Sequence, residues 1–164
     1  MPLSTQITLG GKASLTKTHD LVAATPADHP INATISMTSG TGAGLADLVW
    51  ADTRSTGATD SLDLAGGGLV DYYGTALAFA KLKAIFVTAA SGNAADLRLT
   101  RPATNGVPWL LAAGDAVVLP PGATFLWVAP SAGVTVTAGT GDLVDVVAAS
   151  GTLTYNITLI GTSA

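Results

Sequence analysis

Every side-chain carboxylate in this sequence belongs to Asp: there are eleven, and no Glu. Glu is a good helix former, whereas Asp competes with the helix by bonding nearby backbone in turns. A chain that carries its acids only as Asp is expected to hold them in turns between strands. Thr, Val, Ala and Gly are abundant beside them. Thr and Val fit the pleated, half-buried surface of a sheet. The chain therefore reads as all-β.

At 164 residues it is one domain, or one domain with an arm. That length buries roughly two thirds of the unfolded surface without staples. Cys is absent, which excludes a disulfide framework and a thiolate metal site. The opening Met1-Pro2-Leu3-Ser4-Thr5-Gln6 has no basic region followed by an apolar run, so no signal peptide is expected. Mean hydropathy is high, at +0.48. The longest uncharged stretch, residues 116–141, holds Pro120, Pro121, Pro130 and several Gly, which excludes a spanning helix. Only 11% of residues are charged, about half the usual share. A surface covered by Ala, Thr, Ser and Gly is expected to be partly buried against other subunits. A net charge of −4 weighs against nucleic acid and membrane partners.

Along the chain, residues 3–9 alternate apolar and polar, and Gly10-Gly11 is expected to turn them, with 12–18 pairing back as a short strand. His19 to Pro30 reads as irregular, and Ile31 to Met37 as a strand. The glycine-rich run 39–44 is the expected hinge between an N-terminal arm, residues 1–44, and a main domain, residues 45–164. Strand signals are denser from Leu45. They include one bent strand through 75–79 and 81–88, whose end is buried on both faces. They also include Asp96–Arg101, with Leu97 and Leu99 opposite Arg98, and Val107–Ala112, Asp115–Leu119, Thr124–Ala129, Val134–Thr137, Leu143–Ala148 and Thr152–Ile160. The best helix candidate is one turn near Leu69–Tyr73. Strands eight to twelve residues apart with a turn at each boundary predict a β-sandwich or jelly-roll-like domain with a β-rich N-terminal arm.

No constellation demands a reaction. His19-Asp20 and Asp28-His29 have ligand chemistry, but they sit in a Pro-containing segment that reads as a polar loop. No G-x-S-x-G is present for a nucleophile elbow. Gly40-Thr41-Gly42-Ala43-Gly44 lacks the helix and Lys of a phosphate loop and reads as a linker. Asp63, Asp71, Asp142 and Asp145 read as turn residues. Trp50, Trp109 and Trp127 suit a sugar platform less well than a core or interface. Lys81, Lys83, Arg98, Asp47, Asp52 and Arg54 are candidates for salt bridges between strands or subunits, beside the plainer reading of a solvated sheet face. The expectation is no enzyme, no cofactor and no metal.

A set of motifs carries a resemblance over the segment from Trp50 to Gly161. It comprises Trp50-Ala51-Asp52-Thr53-Arg54, Ser61-Leu62-Asp63-Leu64, Asp71 with Gly74, and the run from Phe79 to Val87. It continues in Val118-Leu119-Pro120-Pro121-Gly122, Asp142-Leu143-Val144-Asp145-Val146 and the run from Tyr155 to Gly161. This segment resembles small β-sandwich structural proteins of tailed-bacteriophage virions. The resemblance implies a capsid decoration (cement) protein made in the bacterial host cytoplasm and carried on the virion. Its partners would be the major capsid protein or other virion proteins, and further copies of itself, most simply in a trimer. Alternatives are a tail or head-spike component, or a carbohydrate-binding module. The interface candidates are Leu3, Ile7 and Leu9 in the arm, and Trp50, Trp109 and Trp127 in the main domain.

Overall fold

The computed structural model describes the backbone of every residue except Met1, Asp20, Leu21, Gly67 and Leu110; side chains are described outside these and residues 16–27. Among the described residues there are thirteen strands and no helix. The chain is all-β.

Two long strands come first: β1 (Ser4–His19) and β2 (Val22–Thr38), of 16 and 17 residues, pair antiparallel into one ribbon. The body follows. β3 (Leu48–Thr56), β7 (Lys81–Ala89), β10 (Thr124–Val128) and β13 (Leu153–Thr162) form one sheet in the order β10-β7-β13-β3, and short β11 (Val134–Thr135) adds to β7. β4 (Thr59–Asp63), β8 (Leu97–Thr100), β9 (Ala116–Leu119) and β12 (Leu143–Ala148) form the other, in the order β4-β12-β8-β9. A small hairpin, β5 (Leu69–Val70) with β6 (Ala76–Leu77), completes the set.

This order is that of a jelly roll. Leaving the two-residue strands aside, almost every connection crosses from one sheet to the other, and the first and last body strands lie side by side. Inward residues of both sheets share one core: Trp50, Ile85, Val87, Ile157 and Leu159 from the first, and Leu62, Leu97, Leu99, Val144 and Val146 from the second. The alternation expected for 96–101 holds, with Leu97 and Leu99 buried and Arg98 exposed.

The body begins and ends in one place. Leu48 pairs with Gly161, and the Ser163 amide and hydroxyl both donate to the Asp47 carboxylate. The opposite end carries the short β3–β4, β9–β10 and β12–β13 turns.

Several expectations are corrected. Gly10-Gly11 is not a turn; it lies inside β1, opposite Asn32 and Ile31. Residues 12–18 do not pair back on 3–9 but continue β1, and 22–30 are strand. Pro26 and Pro30 sit opposite Thr16 and Lys12, four residues apart and so in the same orientation. Proline has no N–H to give, so these are positions where β2 turns its amide side outward. The ladder to β1 loses nothing. Residues 75–88 are two strands, not one, and Phe86 faces out at 40% exposure. Residues 107–109, 111 and 112 are loop instead of strand, with Leu110 outside the described residues, and 69–73 lead into a hairpin turn instead of a helical one. Asp145 lies inside β12, paired with Ser61 and Thr100, not in a turn.

Candidate functional site

The ribbon is amphipathic from its root out to Leu15. Its register puts Thr5, Ile7, Leu9, Gly11, Ala13 and Leu15 of β1 on one face with Ile31, Ala33, Ile35 and Met37 of β2, and Leu3, just before β1, packs with Met37. The other face carries Ser4, Gln6, Thr8, Lys12, Ser14, Asp28, Asn32, Thr34 and Ser36. On that polar face Lys12 pairs with Asp28 at 2.7 Å, and the Ser14 hydroxyl donates to the same carboxylate at 2.7 Å. Lys12 first, and Ser14 second, hold the Asp28 carboxyl below its ordinary pKa.

The apolar face divides into two parts. Near the root, Met37 is buried, and Leu3 and Ile7 pack with it against Ala46, Ala84, Val128 and Ile160 of the body. Farther out no described residue covers it: Leu9 is 53% exposed, Ile31 53% and Leu15 75%. A two-stranded ribbon is at best marginally stable by itself in water. An uncovered apolar face on such a ribbon marks an interaction surface.

The root sits on the outer face of the first sheet. Register arranges that face in rows: Val128–Ala84–Ile160–Val49, then Leu126–Phe86–Thr158–Ala51, then Thr124–Thr88–Asn156–Thr53. None of these residues is charged. The first row carries the ribbon root and the second is partly open. The third is tied by hydroxyl and amide contacts, Thr53 donating to Asn156 at 2.7 Å and Thr88 meeting Thr124 at 3.1 Å.

A buried cation fixes the ribbon's exit. Ala84 pairs with Ile160 and Leu82 with Gly161, which leaves Lys83 as the extra residue of a β-bulge. Its side chain is 1% exposed. Nζ donates to the carbonyls of Gly42 and Leu45, at 2.5 and 2.7 Å. The glycine-rich segment thus closes into a tight loop, held also by Gly40 N to Ala46 O and Gly44 N to Pro130 O. Gly40 has φ 143°, and a Cβ there would lie 2.8 Å from Leu45 Cδ1. Burial pushes the Lys83 pKa down; Lys81 adds to this and Asp47 opposes it.

At the far end of the body a second polar group joins the two sheets. Arg54 Nε and Nη2 donate to Asp60 at 2.6 and 2.9 Å, and the buried Tyr155 hydroxyl donates to Asp60 at 2.6 Å. Arg54 also reaches Asp52 at 3.3 Å and lies 6.0 Å from the Trp50 ring centroid. Arg54 is the main cause of the lowered Asp60 pKa. Burial, then Asp60, raises that of Tyr155. Sequence reading named Arg54 and Asp52 but missed Asp60 and Tyr155, because β3 and β4 belong to different sheets and Tyr155 is distant in sequence.

The remaining candidates fall as follows. Trp50 is buried in the core. Trp109 and Trp127 are half-buried and perpendicular to each other, with centroids 6.1 Å apart; Phe125 stands edge-on to Trp109 at 5.8 Å. This is a packed cluster, not a flat stacking platform. His29 shares the apolar ribbon face opposite Ala13, while the His19 side chain and Asp20 lie outside the described residues. Among the described residues no group of three or more His or Asp side chains is arranged to hold a metal ion. Asp63 and Asp71 cap turns, accepting from Gly66 N at 2.6 Å and Tyr73 N at 2.8 Å. Tyr72 and Tyr73 stand exposed at the β5–β6 tip. Comparison of the chain with protein-family models, curated proteins and solved structures finds no match, so the candidate site rests on its own geometry: a half-seated amphipathic ribbon beside an uncharged sheet face.

Proposed function

We propose that this protein is a non-enzymatic structural component of a tailed-phage virion, a capsid decoration protein that acts through burial of its uncharged surfaces. The observation that carries this reading is the pairing of an uncovered apolar ribbon face with an uncharged outer sheet face. Both are surfaces suited to burial in an assembly and poorly suited to a solitary life in water. The jelly roll is compatible, since capsid proteins use it. Lectins and cupins use it too, so the fold alone does not choose. The resemblance of residues 50–161 to virion proteins points the same way.

The mechanism is mass action. Copies bound to the assembled shell and not to dissociated subunits stabilise the shell by RT ln(1 + [L]/Kd), about 2.7 kcal/mol per site at a hundredfold excess over Kd. The test is co-sedimentation with shells of the major capsid protein co-expressed from the same phage. Intact protein is expected to pellet with shells and raise their melting temperature. A version lacking residues 1–39 is expected to stay folded and to bind weakly. Absence of binding to shells refutes the reading. Glycan binding that disappears in Trp109→Ala or Trp127→Ala replaces it with the carbohydrate-module alternative.

A further inference from the structure

We infer that the distal apolar face of the ribbon docks on a second copy of this chain, on the open second row of the outer sheet face, Leu126–Phe86–Thr158–Ala51. The inference rests on the assembly reading above only in that the chain self-associates; it requires no shell.

Three observations choose this occupant. The first is continuity. The root of the same ribbon face is already seated on the first row of the same sheet, Leu3, Ile7 and Met37 against Ala84, Val128 and Ile160. The two surfaces are therefore complementary in chemistry, and the strip of apolar side chains continues on both. Leu9, Ile31 and Leu15 lie beyond the contact on the ribbon, and Phe86 and Leu126 beyond it on the sheet.

The second is charge. The ribbon holds Lys12 and Lys17 against Asp20 and Asp28, a net of zero. The whole chain is −4, so the body carries all of the excess. A neutral ribbon meets no repulsion from a body whose outer sheet rows are uncharged. A nucleic acid or an anionic bilayer would meet the acidic body.

The third is area. From Leu9 to Leu15 the apolar strip is about 20 Å long and about 10 Å wide, roughly 200 Å² of one face. One such face buried on a neighbour, and one neighbour's face received in return, removes about 400 Å² per copy. That is about half the ~800 Å² per partner of a standard interface, the size of a weak, reversible contact. Two bare ribbons pressed together bury only half as much per copy. Edge-to-edge strand addition is disfavoured along β2, because Pro26 and Pro30 leave its outer edge without donors where amides are needed. Contact through the face avoids that edge.

The experiment is sedimentation velocity on the intact protein and on two variants, Leu9→Asp/Leu15→Asp in the ribbon and Phe86→Asp on the sheet. Circular dichroism confirms that each is folded. Wild type is expected to form a defined oligomer. Each variant is expected to associate roughly a hundredfold more weakly, from loss of apolar burial on one side of the contact. An equimolar mixture of the two variants is expected to recover a mixed complex, since one intact ribbon still meets one intact sheet face. A wild type that stays monomeric up to about 1 mM, the Kd of a contact worth only about 4 kcal/mol, overturns the inference. So does a Phe86→Asp variant that associates like wild type, which would place the contact elsewhere. A lone thiol supplies a readout independent of folding, because the native chain has no Cys. Ala13→Cys on the apolar face should be shielded from a bulky maleimide at high concentration and react on dilution. Ser14→Cys on the polar face should react alike at both, and equal behaviour of the two thiols also overturns the docking. Shells are absent from all of these measurements, so loss of capsid binding and loss of self-association are read separately.

Discussion

Replacing Lys83 with Met tests how the ribbon is fixed to the body. The substitution keeps most of the buried stem and removes the ammonium. Two bonds from a charged donor are lost, each contributing about 1.5–3 kcal/mol. The Gly42 oxygen keeps the Leu45 amide at 3.2 Å, so the deficit falls mainly on the Leu45 carbonyl. Against that loss, Met spares the cost of burying a cation that has no carboxylate at bonding distance. The balance is a destabilisation of about 2 kcal/mol, or a fall of roughly 4–8 °C in Tm for a chain of this size. Urea unfolding followed by tryptophan fluorescence measures it, with the m-value unchanged. Hydrogen exchange adds a local readout: the amides of Gly40, Gly44 and Ala46 should lose protection before the core strands do.

The pH dependence follows from the same burial. Lys83 in the folded chain holds its proton less well than the unfolded chain does, whose value is 10.5. Between the lowered folded value and 10.5 the unfolded state binds more protons. The stability of wild type relative to Lys83→Met therefore rises with pH across that window. A variant within about 0.5 kcal/mol of wild type at pH 7, the usual range for a surface change away from any such feature, with unchanged exchange in the loop, refutes the clamp.

Asp60→Asn should destabilise the body by about 1–2 kcal/mol, by weakening the acceptor shared by Arg54 and Tyr155. Because the folded Asp60 pKa lies below 3.8, its contribution is full above that value and is lost as pH falls through the folded value. Acid titrations of the two proteins should converge there, and parallel curves would exclude the brace. Tyr155→Phe should remove the tyrosinate absorbance component that appears at the highest pH; an unchanged alkaline titration would show that the buried hydroxyl is not held as described. Gly161→Ala should cost about 3 kcal/mol or more, since a Cβ there would overlap the Lys81 carbonyl and the Phe79 ring. A variant with wild-type urea midpoint would contradict the close approach at the bulge.

The strand pattern of the body was largely legible, because Leu97, Arg98 and Leu99 alternate as a half-buried strand must, and glycines and prolines mark most boundaries. The jelly-roll partnering was not, because consecutive strands go to opposite sheets and the pairing is non-local. The ribbon was concealed by residues that usually end strands. Gly10-Gly11 fits because extended backbone suits any residue there. Pro26 and Pro30 fit because a ribbon has free outer edges. By the period of two, Lys83 joins Lys81 on a sheet face; the bulge breaks that period at Lys83 and turns it under the loop. The apolar residues Val107 to Trp109 are not a strand because loops that cover a core, as this one does with Val107 and Trp109, are apolar too. The candidate surface was partly visible: Leu3, Ile7 and Leu9 were singled out, but Leu15 and Ile31 needed the register.

The adjacency of Leu48 with Gly161, and of Asp47 with Ser163, has a practical side. Any polypeptide joined after Ala164 would emerge beside the root of the ribbon, within reach of the loop that Lys83 pins. Cargo displayed there would crowd the docking face. Cargo inserted in the Pro120-Pro121-Gly122 turn would leave from the opposite pole and point away from it. The molecule thus has a polarity that a display engineer can exploit: one pole for attachment, the other free to carry a load.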